Sequence, residues 1–140
     1  SMPILMPPTN FREQYFIDGG VAGGIALDIA KKDGMKKYFV VLSREKGYRK
    51  NSPKFMRVFK AYYRKYPCVV DAMLKRHVIY NQTLDELEQL ESEGKAFLVY
   101  PERMPITNRE TNFEKLSKSY EMGYAQGRRD LHKWRAFLEK

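Results

Sequence analysis

The chain has 140 residues, of which 43% are hydrophobic, and it carries a formal net charge of +9. This length predicts a single domain over residues 1–140, and the apolar fraction is large enough to bury a core, which argues against a disordered chain. The longest unbroken run of large apolar residues, 38–42, is far shorter than the roughly 18 residues that cross a bilayer.

The cysteine and histidine content excludes two further classes of protein. Cys68 is the only cysteine, so an internal disulfide cannot form, and we predict a cytoplasmic protein whose contact with a membrane is at most peripheral. We expect Cys68 to be a small core residue. His77, His132 and Cys68 are far apart in the sequence and give no metal-ligand spacing, so neither a metal nor a cofactor is predicted.

Strand and helix patterns alternate along the chain. Short strands are predicted at residues 4–6, 14–17, 38–42 and 96–100, and the last two are the near-continuous apolar runs typical of a sheet that is buried on both faces. A helix over 25–32, closed by Gly34, separates the second strand from the third. The pattern predicts an α/β fold with a mostly parallel sheet of three to four short strands covered by helices.

The next helix is predicted over residues 53–65. It is amphipathic, and its two faces differ in chemistry. The expected core stripe consists of Phe55, Phe59, Tyr62 and Tyr66. The opposite face carries Arg57, Lys60 and Arg64.

Three more helices are predicted in the second half of the chain. The first runs over 67–93 and ends at Gly94, and His77 falls on its apolar seam as a core or cleft histidine. A capping box at 111–114 opens a helix that continues to about residue 126. Asp130 then caps a terminal helix. The expected apolar faces of these last two helices consist of Phe113, Leu116, Tyr120 and Tyr124, and of Leu131, Trp134, Phe137 and Leu138.

The candidate chemistry lies at Asp18-Gly19-Gly20, which follows the predicted strand 14–17. In a parallel sheet ligands bind outside the carboxyl ends of the strands, and glycines beside a carboxylate let another backbone approach it closely. An ordinary Asp-Gly turn is the first alternative. The second is a phosphate cradle formed by the glycines of 19–24, although this segment lacks the endings of the P-loop and dinucleotide motifs.

The segment around Asp18 resembles the aspartate block of patatin-like phospholipases, α/β acyl hydrolases that use a Ser-Asp dyad. The likeness rests on residues 15–21 (YFIDGGV), 40–44 (VVLSR), 46–50 (KGYRK) and the tail 120–128. It implies the C-terminal part of a three-layer α/β/α hydrolase domain acting on a lipid or another ester. Asp18 would be catalytic, and Gly19 and Gly20 would be the active-site backbone. The turn departs from the family at Gly23-Gly24, where a polar residue and a proline are common.

The nucleophile that the resemblance requires is not found among these residues. No serine of the chain has the flanking glycines of a Gly-x-Ser-x-Gly elbow, and the glycine-rich oxyanion loop is missing as well. We therefore expect this chain alone to be inactive. If the first half of the fold is absent, an uncovered sheet edge and apolar surface would favour a homodimer.

The positive charge is concentrated in residues 31–76, which contain 15 basic and 3 acidic residues. Such a field attracts polyanions. For a lipid hydrolase the expected partner is an anionic membrane, contacted through Arg57, Lys60 and Arg64, and not nucleic acid. The alternative function is a non-enzymatic basic module that binds an anionic membrane or nucleic acid. A solvated surface that only keeps the protein soluble remains the simplest alternative.

Overall fold

The structure is a computed structural model, and it describes residues 8–53, 56–107 and 110–139. The predicted strand 4–6 and Phe55 lie outside the described residues. In chain order, the elements are β1 (Thr9–Phe11), β2 (Gln14–Phe16), a 3₁₀ turn (Gly19–Ala22), α1 (Leu27–Lys32), β3 (Tyr38–Val41), α2 (Met56–Tyr62), α3 (Pro67–Ser92), β4 (Ala96–Val99) and α4 (Phe113–Leu138). The mixed α/β class is confirmed.

The strands form two separate two-stranded sheets among the described residues. β3 pairs in parallel with β4, with Tyr38 opposite Ala96, so the strands predicted at 38–42 and 96–100 are confirmed. β2 does not join them, because it pairs antiparallel with β1. The prediction of a mostly parallel sheet of three to four strands is therefore wrong.

The reason for the hairpin is the turn between β1 and β2. Arg12 and Glu13 both have left-handed backbone angles, with φ of 50° and 62°. A two-residue connection with this geometry fits an antiparallel hairpin, whereas a parallel pair requires a long crossover. The side chains of both strands are exposed.

The chain divides into two compact units. The first is formed by the described residues up to Met35 together with Arg49–Glu86, and the second by Lys36–Tyr48 and the described residues from Leu87 onward. The helix α3 contributes most of its length to the first unit and its last turns, from Leu87, to the second.

In the first unit, the glycines after the 3₁₀ turn pack closely on α3. Gly23 has φ of 130°, and a Cβ built on it would lie 3.0 Å from Cγ2 of Ile79. Gly24, with φ of 95°, would place its Cβ 3.8 Å from the Tyr80 ring. Glycine is required at both positions because other residues rarely adopt these angles. At Gly23 the Ile79 side chain would also have to shift by a few tenths of an ångström to make room for a Cβ.

The aromatic residues of α2 divide differently from the prediction. Phe59 is buried as expected, and its ring stacks on the buried Tyr63 at a centroid distance of 4.7 Å. Tyr62 is 57% exposed and Tyr66 is also exposed, so their assignment to the core is wrong. Tyr63 lies four residues after Phe59, on the same side of the helix, and occupies the place predicted for Tyr62. Cys68, also predicted to be buried, is exposed.

Side chains of α3 hold the basic segment that precedes α2. Asn81 accepts a hydrogen bond from the backbone nitrogen of Lys50 at 2.8 Å and donates one to the Lys50 carbonyl at 3.0 Å. Arg49 pairs with Asp85 at 2.8 Å, and Lys31 pairs with Glu86. Acids of α3 therefore neutralise part of the positive field of residues 31–76.

In the second unit, α4 covers the parallel sheet with aromatic side chains. The Phe39 ring stacks on Phe97 at 5.8 Å and meets the edge of Trp134 at 5.7 Å. Phe97 lies 5.5 Å from Phe137. These contacts confirm Trp134 and Phe137 as members of the packed face of α4.

The other side chains expected on the apolar faces of this region are exposed, so their assignment to packed faces is wrong. They are Phe113, Leu116, Tyr120, Tyr124, Leu131 and Leu138. Phe39 and Phe97 of the sheet contact Trp134 and Phe137, and the remaining apolar residues of α4 are left exposed.

The helix α4 is continuous, whereas the sequence predicts two helices. Asn112 caps it and accepts a hydrogen bond from the Lys115 nitrogen at 3.1 Å. Asp130 lies inside the helix and is not a cap: its carboxylate bonds Arg129 and Lys133. The Arg129 bond, with a smaller effect from Lys133, lowers the pKa of Asp130 to about 2.

Candidate active site

Asp18 is positioned by the 3₁₀ turn that it caps. Its Oδ1 accepts a hydrogen bond from the Gly20 nitrogen at 2.8 Å, and its carbonyl accepts one from the Val21 nitrogen at 3.0 Å. Within the described residues Oδ2 makes no hydrogen bond. The side chain is half-buried. One carboxylate oxygen is thus held by the backbone while the other is available to a further group.

Asp18, Gly19 and Gly20 line one cleft of about 490 Å³. The remaining lining residues are small, apolar or acidic: Ala22, Gly24, Ile25, Ala26, Asp28 and Ile29. The turn and the start of α1 therefore bring the three predicted site residues together at a concave surface. The strand that leads into Asp18 belongs to the β1–β2 hairpin, so Asp18 does not follow a strand of the parallel sheet.

Arg76 of α3, which the sequence analysis missed, reaches the turn that carries Asp18 although it does not line the cleft. A Cβ at Gly20 would lie 3.1 Å from Nη2 of Arg76 and 3.1 Å from Oδ1 of Asp18, so the absent side chain at residue 20 is what lets the guanidinium and the carboxylate approach the same backbone. The Nε atom of Arg76 is buried and has no hydrogen-bond partner in the described parts of the chain. The sequence indicates Arg76 only through its spacing: it lies four residues, about one helical turn, before Tyr80, which is on the buried seam of α3.

The other titratable candidates lie elsewhere. His77 is half-buried, as expected for a core or cleft histidine, and its Nδ1 has no hydrogen-bond partner among residues that the structure describes. It does not line the Asp18 cleft. No group of three or more metal-ligating side chains occurs in the described ranges.

The predicted basic contact residues are all exposed. Arg57 and Lys60 lie on α2, and Arg64 follows its end. None of the three lines the Asp18 cleft. Exposed Val58 and Tyr62 lie on the same short helix, so apolar and cationic side chains are mixed on its outer surface.

A second cavity, of about 250 Å³, lies where β3 and β4 end. Val41, Leu42 and Val99 contribute from the strand ends, and Met122 and Trp134 contribute from α4. The sequence does not predict this cavity, because it predicts two helices in place of α4, with the break between Met122 and Trp134.

None of the helices in the described ranges combines the length and the hydropathy of a membrane span.

The chain belongs to the family described as "Domain of unknown function (DUF6363)", which matches residues 66–139. The matched range contains α3, β4 and α4, and hence Arg76, whereas Asp18 and its glycines precede it. No curated protein and no solved structure matches the chain.

Proposed function

We propose that this chain supplies the acidic half of a patatin-like Ser-Asp site that hydrolyses a lipid ester or a related carboxylic ester. The observation that carries the proposal is Asp18 itself: a half-buried carboxylate in a cleft, with one oxygen fixed by the Gly20 nitrogen and the other without a partner inside the described ranges. The residues around it resemble the aspartate block of patatin-like phospholipases described above. The serine nucleophile and the oxyanion donors come from outside these 140 residues.

In the proposed reaction, the serine oxygen attacks the ester carbonyl carbon while Oδ2 of Asp18 accepts the serine proton. Collapse of the tetrahedral intermediate breaks the bond to the alcohol, which leaves with the proton from Asp18. Water then attacks the acyl-serine and gives a proton to Asp18, and release of the carboxylic acid returns that proton to the serine. The hydrogen bond from the Gly20 nitrogen keeps the Asp18 carboxylate oriented during both the formation and the hydrolysis of the acyl-serine.

Arg76 has a supporting role in this proposal. Its guanidinium lies against Gly20, in the turn that carries Asp18, and places a positive charge there. The same charge also suits an anionic substrate group such as a phosphate.

The proposal is tested on the polypeptide translated from the native reading frame that contains this sequence. We expect a Gly-x-Ser-x-Gly segment upstream of residue 1, and we expect a fluorophosphonate probe to label that serine, as identified by peptide mass spectrometry. A reading frame without such a serine, or a protein that the probe does not label, would remove the nucleophile and with it the hydrolase proposal.

A second candidate function, contact with an anionic membrane, is favoured by the outer surface of α2. Arg57, Lys60 and Arg64 are exposed beside exposed Val58 and Tyr62. Basic residues attract anionic head groups, and apolar and aromatic side chains insert into the interface. The same contact would hold a lipid hydrolase against its substrate.

Neutralising Arg57, Lys60 and Arg64 to glutamine should weaken binding to vesicles that contain phosphatidylserine by roughly 100-fold, since each basic residue near the surface contributes about 1 kcal/mol. Sedimentation with sucrose-loaded vesicles at 50 mM and 200 mM salt measures the effect. The matched control neutralises Lys115, Lys118 and Lys133 of α4, which removes the same charge elsewhere. Equal losses in both variants would indicate a nonspecific charge effect, and stronger binding to a DNA duplex than to vesicles would favour a nucleic-acid module.

A further inference from the structure

The helix α4 has a second apolar face that the fold leaves uncovered. Its packed face carries Trp134 and Phe137, whereas the uncovered face consists of Phe113, Leu116, Tyr120, Tyr124, Leu131 and Leu138, all of them exposed. At 100° per residue, five of these side chains fall within about 20° of one line along the helix, and Leu116 lies about 60° from that line, on the side of Trp134. Phe113 is 80% exposed and Tyr120 is 72% exposed. We name this surface the outer stripe.

A charged row runs beside the outer stripe at intervals of seven residues. It consists of Glu114, Glu121, Arg128 and Arg135, which are all exposed. None of the four forms an ion pair with another described residue. The first half of the row is acidic and the second half is basic. Arg128 also lies 6.0 Å from the centre of the Tyr124 ring, which connects the row to the stripe.

We propose that the outer stripe is a self-association surface, on which α4 packs antiparallel to α4 of a second copy of this chain. The symmetry of the charged row supports this pairing. Residues seven apart occupy the same heptad position, and in an antiparallel helix pair equivalent flanking positions of the two helices face each other. With the two-fold axis midway between residues 124 and 125, Glu121 faces Arg128 of the second copy, and Glu114 faces Arg135.

The same axis aligns the apolar side chains. Tyr124 meets its own counterpart, Tyr120 lies near Leu131 of the other copy, and Phe113 lies near Leu138. A parallel pair is disfavoured because it would place the charged rows of the two helices on opposite sides of the seam, where Glu121 could not face Arg128. The charged row therefore selects one orientation as well as one partner.

The size of the surface is also adequate. The exposed parts of the six side chains amount to roughly 600 Å² per copy if a large side chain offers about 150–250 Å². A standard interface buries about 800 Å² per partner, and the aliphatic portions of the flanking charged residues contribute the difference. The pairing is independent of the hydrolase proposal, since it uses no residue of the Asp18 cleft.

Charge reversal with a mixing experiment tests the proposal on the 140-residue chain. Sedimentation equilibrium between 5 and 200 μM should give twice the monomer mass of 16.5 kDa for the wild type. Glu121→Arg and Arg128→Glu should each weaken the dimer at least tenfold, because like charges then meet twice across the axis. An equimolar mixture of the two variants should restore it, since each introduced arginine then faces an introduced glutamate.

The control is Lys118→Glu, a charge reversal on the same helix but away from the outer stripe, which should leave association unchanged. Circular dichroism of each variant verifies that the helix content is kept. A wild type that stays monomeric to 200 μM overturns the proposal. So does a dimer that both reversals leave intact, or a mixture of the two variants that remains monomeric.

Discussion

Asp18→Asn is expected to lower kcat for ester hydrolysis at least about 100-fold in the polypeptide that contains the serine nucleophile, with a smaller change in KM. An amide cannot accept the serine proton, and general-base contributions are typically about 10²–10⁴-fold. The amide oxygen of the new side chain still accepts the hydrogen bond from the Gly20 nitrogen, so the turn should remain folded. Hydrolysis of a p-nitrophenyl ester and of a phospholipid in mixed micelles provides the measurement.

The matched control is Asp28→Asn. Asp28 is an exposed acid in the first turn of α1 and lines the same cleft. It has no assigned part in the reaction, so its replacement removes the same charge from the same surface and should change kcat less than threefold. Similar losses in the two variants would mean that the charge of the cleft matters and that Asp18 is not the base. Full turnover in Asp18→Asn would end the assignment.

Gly23→Ala is expected to lower the free energy of unfolding by about 3 kcal/mol. Two effects combine at this residue: a non-glycine residue at φ of 130° is strained, and its Cβ would lie 3.0 Å from Cγ2 of Ile79. The turn that carries Asp18 would then lose its close contact with α3. Urea unfolding of the 140-residue chain, followed by circular dichroism, measures the change.

Gly34→Ala separates the two effects. Gly34 also has a positive φ, of 79°, but a Cβ there would meet no atom within 4 Å. It should therefore cost only about 1–2 kcal/mol, the strain of the left-handed backbone. Combining Gly23→Ala with Ile79→Ala should recover about 1 kcal/mol or more relative to additivity, because the clashing methyl group is gone. Gly23→Ala and Gly34→Ala could prove equally destabilised, with the effects of Gly23→Ala and Ile79→Ala on the free energy of unfolding adding up in the double variant. In that case the contact with Ile79 contributes nothing to the loss of stability.

Sequence patterns predicted those elements whose signals are strong and local. The runs 38–42 and 96–100 are strands because continuous apolar residues suit a buried parallel pair, and Gly94 ends α3 with φ of 71° as its position after the helix predicts. The strand 14–17 is also located correctly. Its pairing is not, because the outcome depends on left-handed angles at Arg12 and Glu13, residues that do not usually mark a hairpin turn.

Helix faces are harder to predict than helices. Tyr62 and Tyr63 are adjacent in sequence and both lie close to the line through Phe59, so periodicity alone does not decide which one is buried. In α4 the regular apolar spacing of the outer stripe favours it as the packed face. The sheet instead selects the side of Trp134 and Phe137, where the aromatic rings of Phe39 and Phe97 are available.

The candidate site shows the same limit. Asp18, Gly19 and Gly20 are consecutive residues, so a local motif is enough to identify them together. Arg76 reaches the same turn from a helix much further along the chain, and only the packing of Gly20 against α3 brings it there. A local sequence motif does not reveal a charged residue, such as Arg76, that reaches the site from a distant part of the chain.

The pairing of β4 with β3 bears on how the family range is cut for expression. A fragment starting at Tyr66 would keep β4 but discard Tyr38–Val41, so the strand would lose its whole hydrogen-bonding neighbour. The same cut would remove Lys50, whose backbone is hydrogen-bonded to Asn81. It would also remove Gly23 and Gly24, which pack against Ile79 and Tyr80. The matched segment therefore lacks upstream packing partners in both compact units.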